Sequence, residues 1–212
     1  MDGVINVWFD FGCPFSYLLR RVLSKPLAES GTRACWHARD AESGVLKEPV
    51  TAARIWKHSV RPLAGRLGVA VSDLAPRPVS TRLAVQGYQY ALDRGRGCAY
   101  REQVFSAFFA RAQDVSRAKV LAEAAGRAGL DPEHFEAVAG SRYYLDRHLA
   151  AAARCPSVRT TPTLGIGDYV LEGVPGDAQL ARLLAANARS WAGGRRVLSE
   201  GVIFDMTQRR VQ

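Results

Sequence analysis

The sequence predicts an α/β fold: a strand–helix–strand unit, a long helical insertion, and a closing strand–strand–helix unit. Three observations carry this. Apolar β-type runs lie near the two ends of the chain, at Val4–Phe9, at Arg33–Ala38 and again beyond Pro156. From about residue 50 to residue 153 apolar residues recur at helical spacing instead, as in Ile55-Trp56, Val60, Leu63 and Leu67. Cys13 and Pro14 stand at the junction between the first strand and a helical stretch opening with Tyr17-Leu18-Leu19.

Taken in order, the first strand ends at Asp10-Phe11-Gly12, where Gly12 permits a tight turn into Cys13. Pro14 suits the first helical turn, because the N–H it lacks has no intrahelical partner there anyway. The helix is expected to run to Ser30-Gly31, with Pro26 kinking or fraying its last part. Arg33–Ala38 then reads as a second strand, parallel to the first through a right-handed crossover.

Breaks at Gly68, Pro76-Arg77-Pro78, Gly95-Arg96-Gly97 and Gly129-Leu130-Asp131-Pro132 divide the insertion into roughly five helices. Thr51, Ser80, Ser116 and Asp131 are candidate N-caps. The pairs Phe108-Phe109 and Tyr143-Tyr144 read as core packing. Residues 163–167 and 169–172 form a hairpin about the turn dipeptide Gly167-Asp168. A final amphipathic helix runs from about Asp177 to Ala192, with Leu180, Leu183 and Leu184 on one face. The order describes a thioredoxin-like fold interrupted by a helical insertion domain. Residues 1–46 and 154–192 make the thioredoxin-like domain, 47–153 the insertion, and 193–212 a tail. The tail's apolar run Val202-Ile203-Phe204 is an edge strand, a dimer arm or a flexible end.

Composition narrows the classes. The 212 residues are 48% hydrophobic and 23% charged, as in a soluble globular protein with a substantial core. No run approaches the roughly 20 apolar residues that span a bilayer. The start lacks the basic–apolar–small order of a signal peptide, so the expected location is cytoplasmic. Cys13, Cys35, Cys98 and Cys155 are scattered, as free thiols are in a reducing compartment. His37, His58, His134 and His148 stand far apart, so no metal is expected, and His134 and His148 read as surface residues. The net charge of +9 is dispersed along helices without a dense basic run, which argues against nucleic acid. A narrower use of that charge is attraction of anionic thiols to the site.

The chemistry centres on Cys13-Pro14-Phe15-Ser16. A cysteine at a helix start faces unpaired N–H groups and the positive end of the helix dipole, which favour the nucleophilic thiolate. The spacing is that of a Cys-x-x-Cys redox motif with serine in the second position. A disulfide within the motif is therefore excluded, and the Ser16 hydroxyl is placed to bond the Cys13 sulfur or a bound thiol. The competing reading of Cys13 is a buried structural cysteine.

Three segments, Asp10 to Leu18, Val79-Ser80-Thr81-Arg82-Leu83-Ala84 and Arg159-Thr160-Thr161-Pro162-Thr163-Leu164, resemble the DsbA-like branch of the thioredoxin superfamily. The resemblance extends to FrnE-like oxidoreductases, 2-hydroxychromene-2-carboxylate isomerases and kappa-class glutathione transferases. It implies a cis-proline at Pro162 against the thiol, with Thr161 offering backbone groups to an extended thiol ligand, beside Phe15. Asp177 reads first as an ordinary N-cap; the resemblance to the glutathione-using branches implies, as the alternative, a polar residue that holds the cofactor's amino group. The isomerase and transferase branches usually carry serine where this chain has Cys13, so the motif is a hybrid.

Three functions follow. The first is a thiol–disulfide oxidoreductase with one active-site cysteine and an external resolving thiol, such as glutathione, mycothiol or a protein or peptide thiol. The second is a thiol-dependent isomerase or glutathione transferase. The third is a non-catalytic peptide-binding module. Cys155, shortly before Pro162, is a less favoured resolving thiol, and a homodimer is an open expectation. No nucleic acid or membrane partner is expected.

Overall fold

Alternation in Val4–Phe9 sends Ile5, Val7 and Phe9 to one side, where all three are fully buried. The computed structural model describes residues 4–40, 48–154, 158–167 and 169–190. In it β1 (Val4–Phe9) lies inside a four-stranded sheet of order β2-β1-β3-β4. β2 (Arg33–Ala38) runs parallel to it, with Val7 opposite Trp36. β3 (Thr163–Ile166) is antiparallel to β1, with Trp8 opposite Thr163, and β4 (Tyr169–Glu172) completes a hairpin. That register sets the start of β3 beside the end of β1. The sheet therefore delivers the Thr161-Pro162 segment and the Cys13 turn to the same edge of the molecule.

α1 (Pro14–Ser30) continues through Pro26 and closes at Gly31, whose φ of 64° is the left-handed cap that glycine adopts without strain. In the insertion, α2 (Pro49–Ile55), a π-helical turn at Trp56–Val60 and α3 (Arg61–Leu67) run on without a break. α4 (Arg82–Asp93) is followed by α5 (Gly97–Phe105), itself extended by a π-helical turn at Ser106–Ala110. α6 (Ala118–Arg127), α7 (Pro132–Val138) and α8 (Arg142–Ala153) complete the layer, and α9 (Asp177–Ser190) follows β4. The insertion thus holds six helical runs rather than five, because Gly140-Ser141 separates α7 from α8.

Of the four expected N-caps, Asp131 holds its place, accepting from the Glu133 and His134 amides at 3.0 and 3.2 Å. α2 is capped by Glu48 instead of Thr51, through the Val50 and Thr51 amides at 2.9 and 2.6 Å. Pro49 supplies the fixed φ of a first helical residue, which moves the start forward. Ser80 precedes the cap position, which Thr81 occupies without capping, its hydroxyl being engaged elsewhere. Ser116 likewise lies outside α6, its amide and hydroxyl both donating to Asp114 at 2.9 and 2.6 Å.

Two apolar clusters hold these layers. The smaller joins Ile5, Val7, Leu164 and Ile166 of the sheet to Leu19 and Leu23 of α1 and Leu180 of α9. The larger is aromatic and couples the sheet to the insertion. Phe9 and Phe11 meet edge to face at 5.1 Å, Phe11 packs on Phe105 at 5.2 Å, and Tyr17 and Trp56 both stack on Phe109, at 5.4 and 6.0 Å. Each such buried ring contributes about 1.5–3 kcal/mol by leaving water. Phe108 and Phe109 are core residues; of the tyrosine pair only Tyr144 is buried, while Tyr143 is 58% exposed.

Residues 68–81, between α3 and α4, are lashed across this cluster. Tyr17 donates to the Ala70 carbonyl at 2.8 Å, Trp56 to the Ser72 carbonyl at 3.1 Å, and the Ser72 amide to the Phe109 carbonyl at 2.7 Å. His148 is a correction: it is buried, not on the surface, and its Nδ1 has no hydrogen-bond partner. Its place on α8, facing away from solvent, is set by tertiary packing that helical spacing alone does not reveal. His134 is exposed and bonds the Tyr90 hydroxyl at 2.8 Å.

Candidate active site

β1 ends at Phe9, and Phe11, fully buried among Phe9, Tyr88, Tyr100 and Phe105, anchors the turn that follows. Asp10 organises that turn. Its Oδ1 accepts from the Gly12 amide at 2.7 Å and from the Thr81 hydroxyl at 3.1 Å, while its carbonyl accepts from the Cys13 amide at 3.1 Å. Gly12 does not need a positive φ here; a Cβ at that position would lie 3.4 Å from the Asp10 carboxylate.

Cys13 is the N-cap residue of α1, in extended conformation (φ −96°, ψ 111°), with Pro14 at the first helical position. Its carbonyl accepts from the Ser16 and Tyr17 amides at 3.1 and 3.3 Å. The Cys13 Sγ donates to the Thr161 carbonyl at 3.0 Å, and the Thr161–Pro162 peptide bond is cis. Ser16 is fully buried one turn into the helix, its Oγ accepting from the Asp10 amide at 3.5 Å. The hydroxyl and amide of Ser16 lie near enough to the Cys13 sulfur to favour its charged form.

The electrostatics correct the sequence reading. Cys13 is only 3% exposed, and burial pushes its thiol pKa up. The Asp10 carboxylate adds to the rise, while the Ser16 hydroxyl, the Ser16 amide and the Thr161 side chain oppose it. The helix dipole is present, but Cys13 stands before the first turn and Pro14 carries no N–H to offer it. Loss of water around the sulfur outweighs the donors that remain. The resting sulfur is thus a buried thiol, not an exposed, acidified one.

Cys13, Ser16, Thr161 and Pro162 come together as one cluster. Phe15 lies half-buried beside it, against the larger core. Asp177 is exposed in the first turn of α9, where a carboxylate complements the helix dipole. The Gly176 carbonyl precedes it, accepting from Leu180 at 3.0 Å, so Asp177 is inside the helix and not its N-cap. No hydrogen bond links Asp177 to Cys13 among the described residues. Cys155 and residues 193–212 lie outside the described residues. Among the described residues no cluster of His, Cys, Asp and Glu suits a metal ion, and no helix is long and apolar enough to cross a membrane.

Asp10 and Thr81 are the residues the sequence reading did not assign to the site. A carboxylate immediately after a mostly apolar strand is the signal for Asp10. Thr81 is 71 residues away in the chain, and only the fold brings them together.

The model of the DSBA-like thioredoxin domain family matches residues 4–186. The chain belongs to this family. The protein YwbO of Bacillus subtilis is 29% identical over 183 residues, covering 81% of this chain and 90% of its own length. A probable DsbA oxidoreductase from Streptomyces coelicolor superposes with a TM-score of 0.76 at 21% identity, covering 93% of each chain. A 2-hydroxychromene-2-carboxylate isomerase follows at 0.73 and 23% identity, over 88% of this chain and 95% of its own. The cytosolic disulfide reductase DsbM from Pseudomonas aeruginosa with GSH reaches 0.58 at 16% identity, over 89% of this chain and 99% of its own. The mixed four-stranded sheet with its helical insertion is the DsbA-like form of the thioredoxin fold.

Proposed function

We propose that the protein is a cytoplasmic thiol–disulfide oxidoreductase that uses Cys13 as its sole motif cysteine and an external thiol to complete turnover. The observation carrying this reading is the 3.0 Å contact between the Cys13 sulfur and the Thr161 carbonyl, beside the cis-proline. That carbonyl accepts the hydrogen bond of the resting thiol. An extended disulfide docking on the Thr161 backbone takes its place, and the thiol is released toward the donors of Ser16. The Cys13 sulfur attacks one substrate sulfur as the substrate S–S bond breaks; the departing sulfur carries away the electron pair and takes up the proton that the Cys13 thiol gives up. An external thiolate then attacks the mixed disulfide, restoring Cys13 and leaving with the substrate half as a new disulfide. Ser16 has no sulfur to resolve the intermediate, so its role is to stabilise charge on Cys13. The likeness to a disulfide reductase whose structure was solved with GSH supports a low-molecular-weight thiol such as glutathione or mycothiol as resolving partner.

A second reading, a thiol-dependent isomerase or transferase, draws on the raised Cys13 pKa. A neutral thiol beside a buried serine can orient a substrate or a cofactor thiol without attacking it. Reduction of hydroxyethyl disulfide by glutathione, followed in the parent and in Cys13→Ser, separates the two. The first reading expects a Cys13–glutathione mixed disulfide by mass spectrometry and loss of turnover in Cys13→Ser. Absence of the adduct, or reduction that survives the substitution, sinks it.

A further inference from the structure

We propose that the cleft between α1, β2, α4 and α5 is a second ligand site, built for a small amphipathic carboxylate. The cleft encloses about 790 Å³, within the range of small-molecule sites. It begins about two turns along α1 from Cys13, does not include that residue, and is independent of the reading of Cys13. Leu23 and Leu27 of α1, Trp36 of β2 and Leu92 of α4 supply apolar wall.

The polar part is the informative one. Arg20, Arg21 and Arg101 line the cleft against a single carboxylate, Glu102, leaving two positive charges in excess. Arg101 is only 5% exposed; its guanidinium lies 3.8 Å over the Trp36 ring and reaches Glu102 at 3.3 Å and the Cys98 sulfur at 3.4 Å. Glu102 is shared with Arg20, which lies over the Tyr17 ring at 4.5 Å. One carboxylate shared by two guanidiniums leaves the pair with a net positive charge on the cleft wall, which an anionic ligand would offset. A carboxylate fits an arginine fork through two parallel hydrogen bonds. Tyr88, on the same wall, brings no competing negative charge: burial pushes its phenol up to about 12, and it donates to the Trp36 carbonyl at 3.1 Å.

Exposed Cys98, in contact with Arg101, is a built-in reporter of occupancy. Titrate the full chain with 4-phenylbutyrate and with 4-phenylbutyramide by calorimetry, and map iodoacetamide alkylation of Cys98 by mass spectrometry with and without each. The carboxylate is expected to bind saturably and slow Cys98 alkylation, and the amide to do neither. Arg101→Gln should weaken the carboxylate about tenfold or more, since a charge-assisted pair is lost. If Arg101→Gln does not fold, Cys98→Asp carries the test. It places a tethered carboxylate beside Arg101 at an exposed position in the first turn of α5, and should abolish binding. Equal binding of acid and amide, or undiminished binding by a folded Arg101→Gln or Cys98→Asp, overturns the proposal. So does loss of binding in Cys13→Ala, which would put the ligand at the reactive turn instead.

Discussion

The Cys13 thiol donates a hydrogen bond to the Thr161 carbonyl across 3.0 Å, although 148 residues separate the two in the chain. The bond ties α1's start to the loop entering β3, and it stabilises the neutral thiol. Alkylation of Cys13 by iodoacetamide, followed against pH by mass spectrometry, should therefore show a midpoint above the roughly 8.5 of a free cysteine. In Ser16→Ala the midpoint should rise further, because a group that favours the charged form is lost. A midpoint near 7 in the parent would mean that the helix terminus outweighs burial.

The same shift makes a stability prediction. A thiol pKa raised on folding means that the folded state holds its proton more tightly than the unfolded chain. This contribution is complete below the unfolded value and is lost as pH climbs through the folded one. Urea midpoints should fall above about pH 8.5, and Cys13→Ala should flatten that slope.

Asp10→Asn isolates the charge. An amide oxygen can still accept from Gly12 and Thr81, while the negative charge that raises the Cys13 pKa disappears. The alkylation midpoint should drop with little change in fold. Thr81→Val removes one donor from the buried carboxylate and should cost about 1–3 kcal/mol in urea unfolding. Unchanged stability in Thr81→Val would show that the bond does not support the turn.

Glycine substitutions test the helical layer. A Cβ on Gly87 of α4 would stand 2.4 Å from the Tyr100 hydroxyl and 2.5 Å from the Phe135 ring. Gly87→Ala should cost about 1–3 kcal/mol by overpacking. Gly126 of α6 has its nearest neighbour, Pro132, at 3.8 Å, so Gly126→Ala should gain up to about 1 kcal/mol from helix propensity. Similar effects at both sites would contradict the packing.

His148 responds in the acid range. Burial lowers its pKa; Asp40 opposes the fall, while Arg39 and Arg82 add to it. Its contribution to stability is present above the unfolded value of about 6.5 and is lost as pH falls through the folded one. Comparing thermal unfolding at pH 7 and pH 5 should show a smaller loss for His148→Gln than for the parent.

The strands and the helical insertion are legible in the sequence because each leaves a local mark, an apolar β-type run in β1 and helical spacing between residues 50 and 153. The pairing of Pro162 with Cys13 follows only from the family resemblance. The protonation state of Cys13 leaves no local mark. It depends on how much water the folded chain excludes, and the sheet register that brings residue 161 over the sulfur is invisible from residue 13. The dipole at the helix start favours the thiolate, but desolvation of the sulfur costs more. Asp10 was visible as a carboxylate behind an apolar strand, but its partner Thr81 was not. Cap positions shifted for a simpler reason: Pro49 and the Asp114–Ser116 turn settle where the helices begin.

Residues 68–81 are held to Tyr17, Trp56 and Phe109 at Ala70 and Ser72 and end at Thr81, on Asp10. A truncated version lacking the insertion would lose that clasp and strip the cover from Phe9 and Phe11. The helical layer is thus a structural component of the reactive centre, and any attempt to graft this motif onto a smaller scaffold has to bring the clasp with it.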